Sequence, residues 1–327
     1  MIADRMVRHL CQGLLLLLSM LAIVFGTNAQ ASNLIRIVVP YRAGTPPDVT
    51  TRLIATELSE SGEWRVTIDN RPGGLATIAM NEVLKQPADG RTVIMMDLPM
   101  TAAPALFPNL GLRVETAFAP VIKISREYNV LVVNPSVPAH SIGELIAILK
   151  SQPDNFTFSS GGFGTPAHLI AEMFKLQTGV RATLVPSPGA QQRVMDLVGG
   201  ITQCDFLATS LAVELIATGR LRALAVTAPQ RLAALKDVPT VVEQGFPDLV
   251  VEGWFGFAVK NGTPKEIVAR LNASVNGILA KEKIQDALAN LGAEPAGGTA
   301  GELGLLVKSQ VAHWEKVVKE SGIKASP

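Results

Sequence analysis

Two stretches of this 327-residue chain combine residue types and spacing suited to holding a small anion. In each, a short apolar strand runs into a loop of Gly and small polar residues, and the loop opens a helix through Thr-Pro. The first copy runs from Ile35 through Gly44, Thr45 and Pro46 to Asp48; the second runs from Phe156 through Ser160, Gly164, Thr165 and Pro166 to His168. The first turn of a helix has N–H groups without intrahelical acceptors, and the aligned peptide dipoles place roughly half a positive charge there. Small anions bind at such a spot. The repeat spacing, 120 residues from Gly44 to Gly164, points to two lobes closing on one acidic ligand.

Asp48 stands three residues after Thr45, the spacing of a capping box, and so reads as a cap of the first helix more readily than as a ligand contact. His168 falls in the first turn of the second helix, where the dipole disfavours imidazolium. A neutral, hydrogen-bonding histidine is expected there, with pocket lining and helix packing both open. The expected ligand-binding set is Gly44, Thr45, Asp48, Ser160, Gly164, Thr165, His168 and Ser187, with Asp205 and Thr209 from the second lobe.

Other chemistry finds no constellation. There is no G-x-S-x-G elbow and no H-E-x-x-H. The run from Gly162 to Ala167 matches G-x-G-x-x-A, but the next strand ends Val185-Pro186-Ser187, without the carboxylate that would hold a ribose. A phosphate-binding Walker loop fails for want of its Lys-Ser/Thr pair. His140/Glu144 and His168/Glu172 each offer two metal ligands at i,i+4 with no third. No catalytic residue, metal or cofactor is therefore expected. Trp254 reads as hinge packing more than ligand stacking, and Cys204, in an apolar strand context, as a buried core thiol.

The first 31 residues read as an address. Arg5, Arg8 and His9 precede an apolar run over 14–25, too short to span a bilayer, and Ala29-Gln30-Ala31 is a small-x-small cleavage site. Cleavage after Ala31 and export from the cytoplasm follow. Taking Arg5, Arg8 and Asp4 from 29 basic and 28 acidic side chains leaves 27 of each. A neutral mature chain does not attract nucleic acid or an anionic membrane broadly, so any anion selectivity is local. A single cysteine beyond Cys11 excludes an internal disulfide. Stability then rests on an apolar core, which 48% hydrophobic content can supply.

The elements that must position the loops alternate between strand-length apolar runs and stretches of helical period. Strands are expected at 35–40, 65–69, 92–96, 129–133, 156–159, 183–185, 205–208 and 221–227. Helices are expected at 48–61, 77–85, 141–150, 166–178, 192–197 and 211–218, then 264–280, 282–291 and 301–321. This rhythm gives an α/β fold of two lobes, a clamshell in which each lobe is a mostly parallel sheet flanked by helices. Crossings are expected near 124–128 and within 229–262. The division is a signal peptide at 1–31, a first lobe at 32–127, a second lobe at 128–228, and a return crossing with C-terminal helices at 229–327.

These residues also carry a family resemblance. Val39-Pro40-Tyr41 through Gly44, Pro47-Asp48 with Arg52, and Asn70-Arg71-Pro72-Gly73 form its first part. Ser159-Ser160-Gly161 through Thr165, and His168-Leu169, form its second. Gly219-Arg220-Leu221-Arg222 through Thr227, Asp237-Val238-Pro239-Thr240, Gly245-Phe246-Pro247-Asp248 and Trp254 with Gly256 follow in order. In that order they resemble the Bug family, periplasmic receptors of tripartite tricarboxylate transporters. The resemblance implies a two-lobed receptor that binds a small carboxylate or related solute through loop N–H groups and hydroxyls. It also implies delivery to membrane permease subunits, with the receptor expected as a monomer. A sensor feeding a membrane signalling partner shares every feature named, and a secreted enzyme on the same scaffold is the third reading. The chain departs from the family pattern at Thr45-Pro46-Pro47, where each proline removes a donor, at Leu75, and at Ser187-Pro188, where an aromatic ring and a cation are lost. Those departures favour a monocarboxylate, an aromatic acid or an amide over a dicarboxylate.

Overall fold

A computed structural model of the chain describes residues 33–153, 155–187 and 189–323; the expected signal peptide lies outside them. The first strand, β1 (Leu34–Val39), alternates its side chains between two cores. Ile35, Ile37 and Val39 enter one apolar cluster and Val38 enters another, so the strand is covered on both faces. Helix α1 (Pro46–Glu60) returns the chain to β2 (Arg65–Asn70), parallel to β1. Helix α2 (Thr77–Leu84) leads to β3 (Thr92–Asp97), parallel to β1 on its other side. Helices α3 (Leu98–Leu106) and α4 (Val114–Ala117) then precede the long strand β4 (Phe118–Glu127).

Tyr128 alone separates β4 from β5 (Asn129–Val133), which belongs to a second sheet. That sheet is built from α5 (Ile142–Ser151), β6 (Thr157–Ser160), α6 (Pro166–Thr178), β7 (Thr183–Pro186), α7 (Ala190–Val198), β8 (Cys204–Ala208), α8 (Thr209–Ala217) and β9 (Arg222–Val226). The chain returns through 227–252 to β10 (Gly253–Lys260) in the first sheet. The helices α9 (Lys265–Leu279) and α10 (Glu282–Asn290), the strand β11 (Glu294–Gly297) and the helix α11 (Ala300–Ser321) complete the described chain.

The strand orders are β11-β4-β10-β3-β1-β2 and β7-β6-β8-β5-β9. The two-lobed α/β expectation holds, but both sheets are mixed rather than mostly parallel. β10 runs antiparallel to β3 and β4, and β5 runs antiparallel to β8 and β9. The reason is topological: β4, β5 and β10 carry the chain into and out of the lobes. The run of β-α units builds only the remaining, parallel part of each sheet. The sequence reading missed β4, β10, β11, α3 and α4.

One apolar cluster reaches through both lobes. It joins Met80 and Met100 of the first to Phe158, Phe174 and Phe206 of the second, whose rings sit 5.8–6.0 Å apart, and to Trp314 of α11. Helix α11 packs on α3 and β4 and also on α6 of the second lobe. It begins with a capping box between Thr299 and Glu302, which ties two of its orphan N–H groups.

At the return strand the packing is tight. β10 and β4 slip register between Phe255 and Gly256, and a Cβ on Gly256 would lie 2.8 Å from the Ile122 carbonyl oxygen. Gly256→Ala is expected to cost ~1–3 kcal/mol, the usual range for overpacking. A urea melt with an unchanged midpoint would show that the strand shifts freely.

Candidate functional site

The two Gly-Thr-Pro loops fold alike, position for position. Gly44 has φ +82° and Gly164 +74°, backbone values that favour glycine. Thr45 and Thr165 are the N-caps of α1 and α6 in extended conformation, with ψ 157° and 158°. Neither hydroxyl caps its helix. Thr45 Oγ1 donates back to the Arg42 carbonyl at 2.7 Å, and Thr165 Oγ1 to the Gly162 carbonyl at 2.8 Å. The glycine N–H then finds an acceptor four residues on. Gly44 N donates to Asp48 Oδ2 at 2.8 Å, and Gly164 N to His168 Nδ1 at 3.3 Å.

Asp48 therefore does not form the expected capping box with Thr45; it closes the loop through Gly44. Its buried carboxylate also accepts from Arg52 Nε at 2.9 Å and Asn70 Nδ2 at 2.8 Å, and Asn70 holds the Tyr41 carbonyl. Burial pushes the Asp48 pKa up, but the bonds from Arg52, Asn70 and Gly44 outweigh it and hold the group below the usual carboxylate range. His168 is the neutral hydrogen-bonding residue expected. Nδ1 accepts a bond, so in the neutral ring the proton sits on Nε2. Burial, chiefly, moves its pKa down. Its ring packs 5.1 Å from that of Phe163.

This arrangement changes which donors remain. The amides of Gly44 and Gly164 are engaged within their loops, so these residues supply shape. At the first helix start Pro46 and Pro47 have no N–H, which leaves the Asp48 amide. At the second, the Ala167 and His168 amides have no acceptor among the described residues. The first helix start already faces its own carboxylate, Asp48, whereas the second faces a neutral imidazole. The dipole available to an outside anion is therefore the one at α6.

Between the sheets lies a cavity of about 260 Å³. The first lobe lines it with Tyr41, Pro46, Pro47, Asp97, Leu98 and Pro99; the second with Pro166, Ala190, Ala208, Ser210 and Leu211. The crossing strands add Glu127, Gly253, Trp254 and Phe255. The prolines that follow both Thr caps thus wall one space. A depression of about 480 Å³ around Arg52 and Glu60 on the outer face of α1 belongs to one lobe alone. The lobes also touch around the interlobe space. A Cβ on Gly164 would lie 2.3 Å from Leu75 Cδ1, a Cβ on Gly292 would lie 2.2 Å from Ser210 Cβ, and the Phe107 and Phe163 rings are 6.0 Å apart. Leu75 itself sits at φ 47° and Ala76 at 70°, a strained left-handed pair of the kind that tertiary contacts must hold.

The cavity is apolar apart from an acidic floor that the sequence reading did not foresee. Tyr41 donates a short hydrogen bond to Asp97 Oδ2, and Asp97 Oδ1 caps α3 by accepting from Met100 N at 3.2 Å. Burial pushes Asp97 up to about 6. Glu127, partly exposed to the cavity, makes no hydrogen bond or ion pair with any described residue. Burial first, and the Asp97 charge second, push it up to about 7. No Lys, Arg or His lines the cavity. The only sequence signal for Glu127 is a carboxylate at the last position of β4, one residue before the crossing. Trp254 is buried, lines the cavity and donates to Gln310 Oε1 at 2.8 Å, so its place is compatible with both packing and ligand contact.

None of the ten expected ligand-binding residues lines the cavity; Pro46, Pro47 and Pro166 beside them do. Ser160 is buried beneath the second loop, where its hydroxyl accepts from Gly162 N at 3.4 Å and its carbonyl takes the Ser187 N–H. Ser187 Oγ lies 3.4 Å from Asp196. Asp205 is fully buried in a two-point ion pair with Arg193, a partner the sequence reading did not name. Arg193 Nε meets Asp205 Oδ2 at 2.6 Å, and the same guanidinium holds the Phe206 carbonyl. Thr209 donates to the Tyr128 carbonyl at 2.7 Å, beside an adjoining recess of about 480 Å³ that Arg126 and Glu294 line and that shares Glu127 and Ser210 with the cavity. Asp205 and Thr209 thus hold the second lobe and the first crossing.

Comparison with known proteins adds a second line. The family model for the tripartite tricarboxylate transporter family receptor matches residues 50–323. Protein BugT of Bordetella pertussis is 32% identical over 292 residues, covering 89% of this chain and 90% of that protein. Among solved structures, R. palustris Rpa4515 with adipate superposes with a TM-score of 0.77 at 35% identity, covering 89% of this chain and 98% of that one. MatC (Rpa3494) from Rhodopseudomonas palustris with bound malate gives 0.76 at 30% identity, covering 88% and 99%.

Two outcomes follow from the electrostatics. Asp205→Ala leaves the Arg193 guanidinium buried without its carboxylate, an expected loss of ~3–5 kcal/mol. The double variant Arg193→Met/Asp205→Leu should recover most of it in urea melts, and an equally unstable double variant would refute this account. Glu127 and Asp97 bind protons more tightly folded than unfolded. Their contribution is therefore present below the unfolded carboxylate pKa and is lost as pH rises toward about 6 to 7. Glu127→Gln should accordingly melt about 2–4 °C above the parent at pH 8, the shift expected of roughly 1 kcal/mol, and level with it at pH 4. Equal gains at both pH values would contradict the assignment.

Proposed function

The chain belongs to the tripartite tricarboxylate transporter receptor family, and on that premise we propose that it captures a small organic acid between its lobes for the membrane subunits of such a transporter. The observation that carries this reading is the shared wall: Pro46 and Pro166, from helix starts on different sheets, line one cavity of about 260 Å³. That is slightly below the ~300–1,000 Å³ typical of drug-sized ligands, and so suits a metabolite.

In this reading the ligand carboxylate goes to the start of α6, where the Ala167 and His168 amides and the helix dipole offer donors. Thr165, Ser160 and Ser187 hold the loop that presents them. Gly44, Thr45 and Asp48 shape the facing wall through their own hydrogen bonds. Excluding water from the closed space strengthens every such contact. Residues 1–31 direct the chain to the periplasm and are removed after Ala31, and the receptor acts as a monomer. Rpa4515 and MatC are described with adipate and malate, so these two acids are the first probes for this chain.

A thermal-shift screen of small organic acids tests the reading, because a ligand that binds only the folded state raises the melting temperature with its concentration. For any acid that binds, Thr165→Val should weaken affinity about tenfold, the worth of roughly one hydrogen bond. Loss of the bond to the Gly162 carbonyl should lower the unliganded melting temperature by about 2–4 °C without unfolding the protein. Unchanged affinity would remove the second loop from the site.

A further inference from the structure

Resting on the receptor reading above, we propose that the cleft selects a ligand carrying a protonated amine as well as its carboxylate, with Glu127 receiving the ammonium. The argument begins with the position of that side chain. A Cβ on Gly253 would lie 2.9 Å from Glu127 Cγ and 3.3 Å from Glu127 Oε1, and Gly253 and Glu127 both line the interlobe cavity. Glu127 and Gly253 are thus cross-strand neighbours at the edge of the space between the lobes, and Glu127 also lines the recess that adjoins it.

The cations on its own strand, Lys123 and Arg126, are paired with other carboxylates. Arg126, the preceding residue, pairs with Glu294 at 2.9 Å. Lys123 pairs with Glu252 at 2.7 Å, and the Tyr128 hydroxyl donates to the same Glu252 at 3.1 Å. From β3 the nearest charge is Asp97, itself acidic, whose hydroxyl partner Tyr41 is turned toward it. A carboxylate held this way, against Trp254, Phe255 and proline rings, lacks the partner that buried charges otherwise require.

A ligand ammonium supplies that partner, and the aromatic faces of Tyr41, Trp254 and Phe255 suit a cation as well. A second carboxylate on the ligand meets the opposite situation. It would face Glu127 and Asp97 in a cavity with no Lys, Arg or His, and like charges in such a space discriminate strongly against a partner. The floor thus admits an amino acid or another aminocarboxylate and rejects a plain diacid of the same length.

Matched pairs test this by calorimetry on the purified protein: 6-aminohexanoate against adipate, and aspartate and alanine against succinate and malate. At least one aminocarboxylate should bind more tightly than its diacid counterpart. Its affinity should rise about tenfold from pH 6 to pH 8 as a carboxyl with a pKa of about 7 ionises. Binding near pH 7 should release protons, seen as a heat that varies with the buffer's ionisation enthalpy. Glu127→Gln should lose at least tenfold in affinity for the amine ligand and lose the pH dependence, with the unliganded melt confirming that it folds. Diacids binding more tightly than amines, and more tightly at pH 6 than at pH 8, would overturn the proposal by making Glu127 a protonated donor, while leaving the receptor reading intact. Binding of neither class would overturn both.

Discussion

Each loop is locked by one amide whose acceptor lies a turn into the helix that the loop begins. Gly44 N–H closes on Asp48 and Gly164 N–H on His168. That bond turns the chain back over the helix start, sets the Thr in its extended cap conformation and places the following proline against the interlobe space. The lock is the same in both lobes, but its chemistry is not. A carboxylate at the first helix start uses up the dipole there, and its pairing with Arg52 leaves that corner nearly neutral. A neutral imidazole at the second leaves the dipole available. Two loops of one shape therefore give a site with one receptive end.

The cavity exists because the lobes meet around it through small residues. Leu75 seats on Gly164 and Ser210 on Gly292, and the Phe107 and Phe163 rings meet edge to face. A side chain at either glycine would hold the lobes apart. The left-handed backbone at Leu75 and Ala76 is unfavourable by ~1–3 kcal/mol per residue. The contact of Leu75 with Gly164 of the opposite lobe is placed to offset that strain. Helix α11 works in the other direction, packing on both lobes and extending one apolar core across them.

The loops and most elements were legible in the sequence because their signals are short-range. A strand, a Gly-Thr-Pro loop and an amphipathic helix each declare themselves within about a dozen residues, and Pro166–Thr178 and Asn129–Val133 match the reading residue for residue. What stayed hidden depends on distant partners. β10 is buried on both faces along nearly its whole length, so Gly253–Lys260 shows no alternation to read. Its neighbours β3 and β4 lie more than a hundred residues away in the chain. The engagement of the Gly44 and Gly164 amides depends on rotamers one turn later. The burial of Asp205 depends on Arg193 reaching it from the preceding helix.

The helix start at α6 explains how a receptor for acids can do without a basic residue in its cavity. An Arg or Lys placed there would be stripped of water on closure, and the desolvation cost of such a pair can exceed its attraction. Fixed peptide dipoles at α6 carry no net charge to desolvate, so they favour a carboxylate without trapping it, which suits a protein that must release its cargo. Selectivity then has to come from the opposite wall. With Asp97 satisfied by Tyr41 and by its helix, Glu127 is the one cavity-lining carboxylate among the described residues without a protein partner. In the proposed arrangement, the end of the ligand that faces it complements a negative charge. On the proposed reading, recognition of the acid falls to the backbone at the start of α6, and discrimination among acids to a side chain at the crossing.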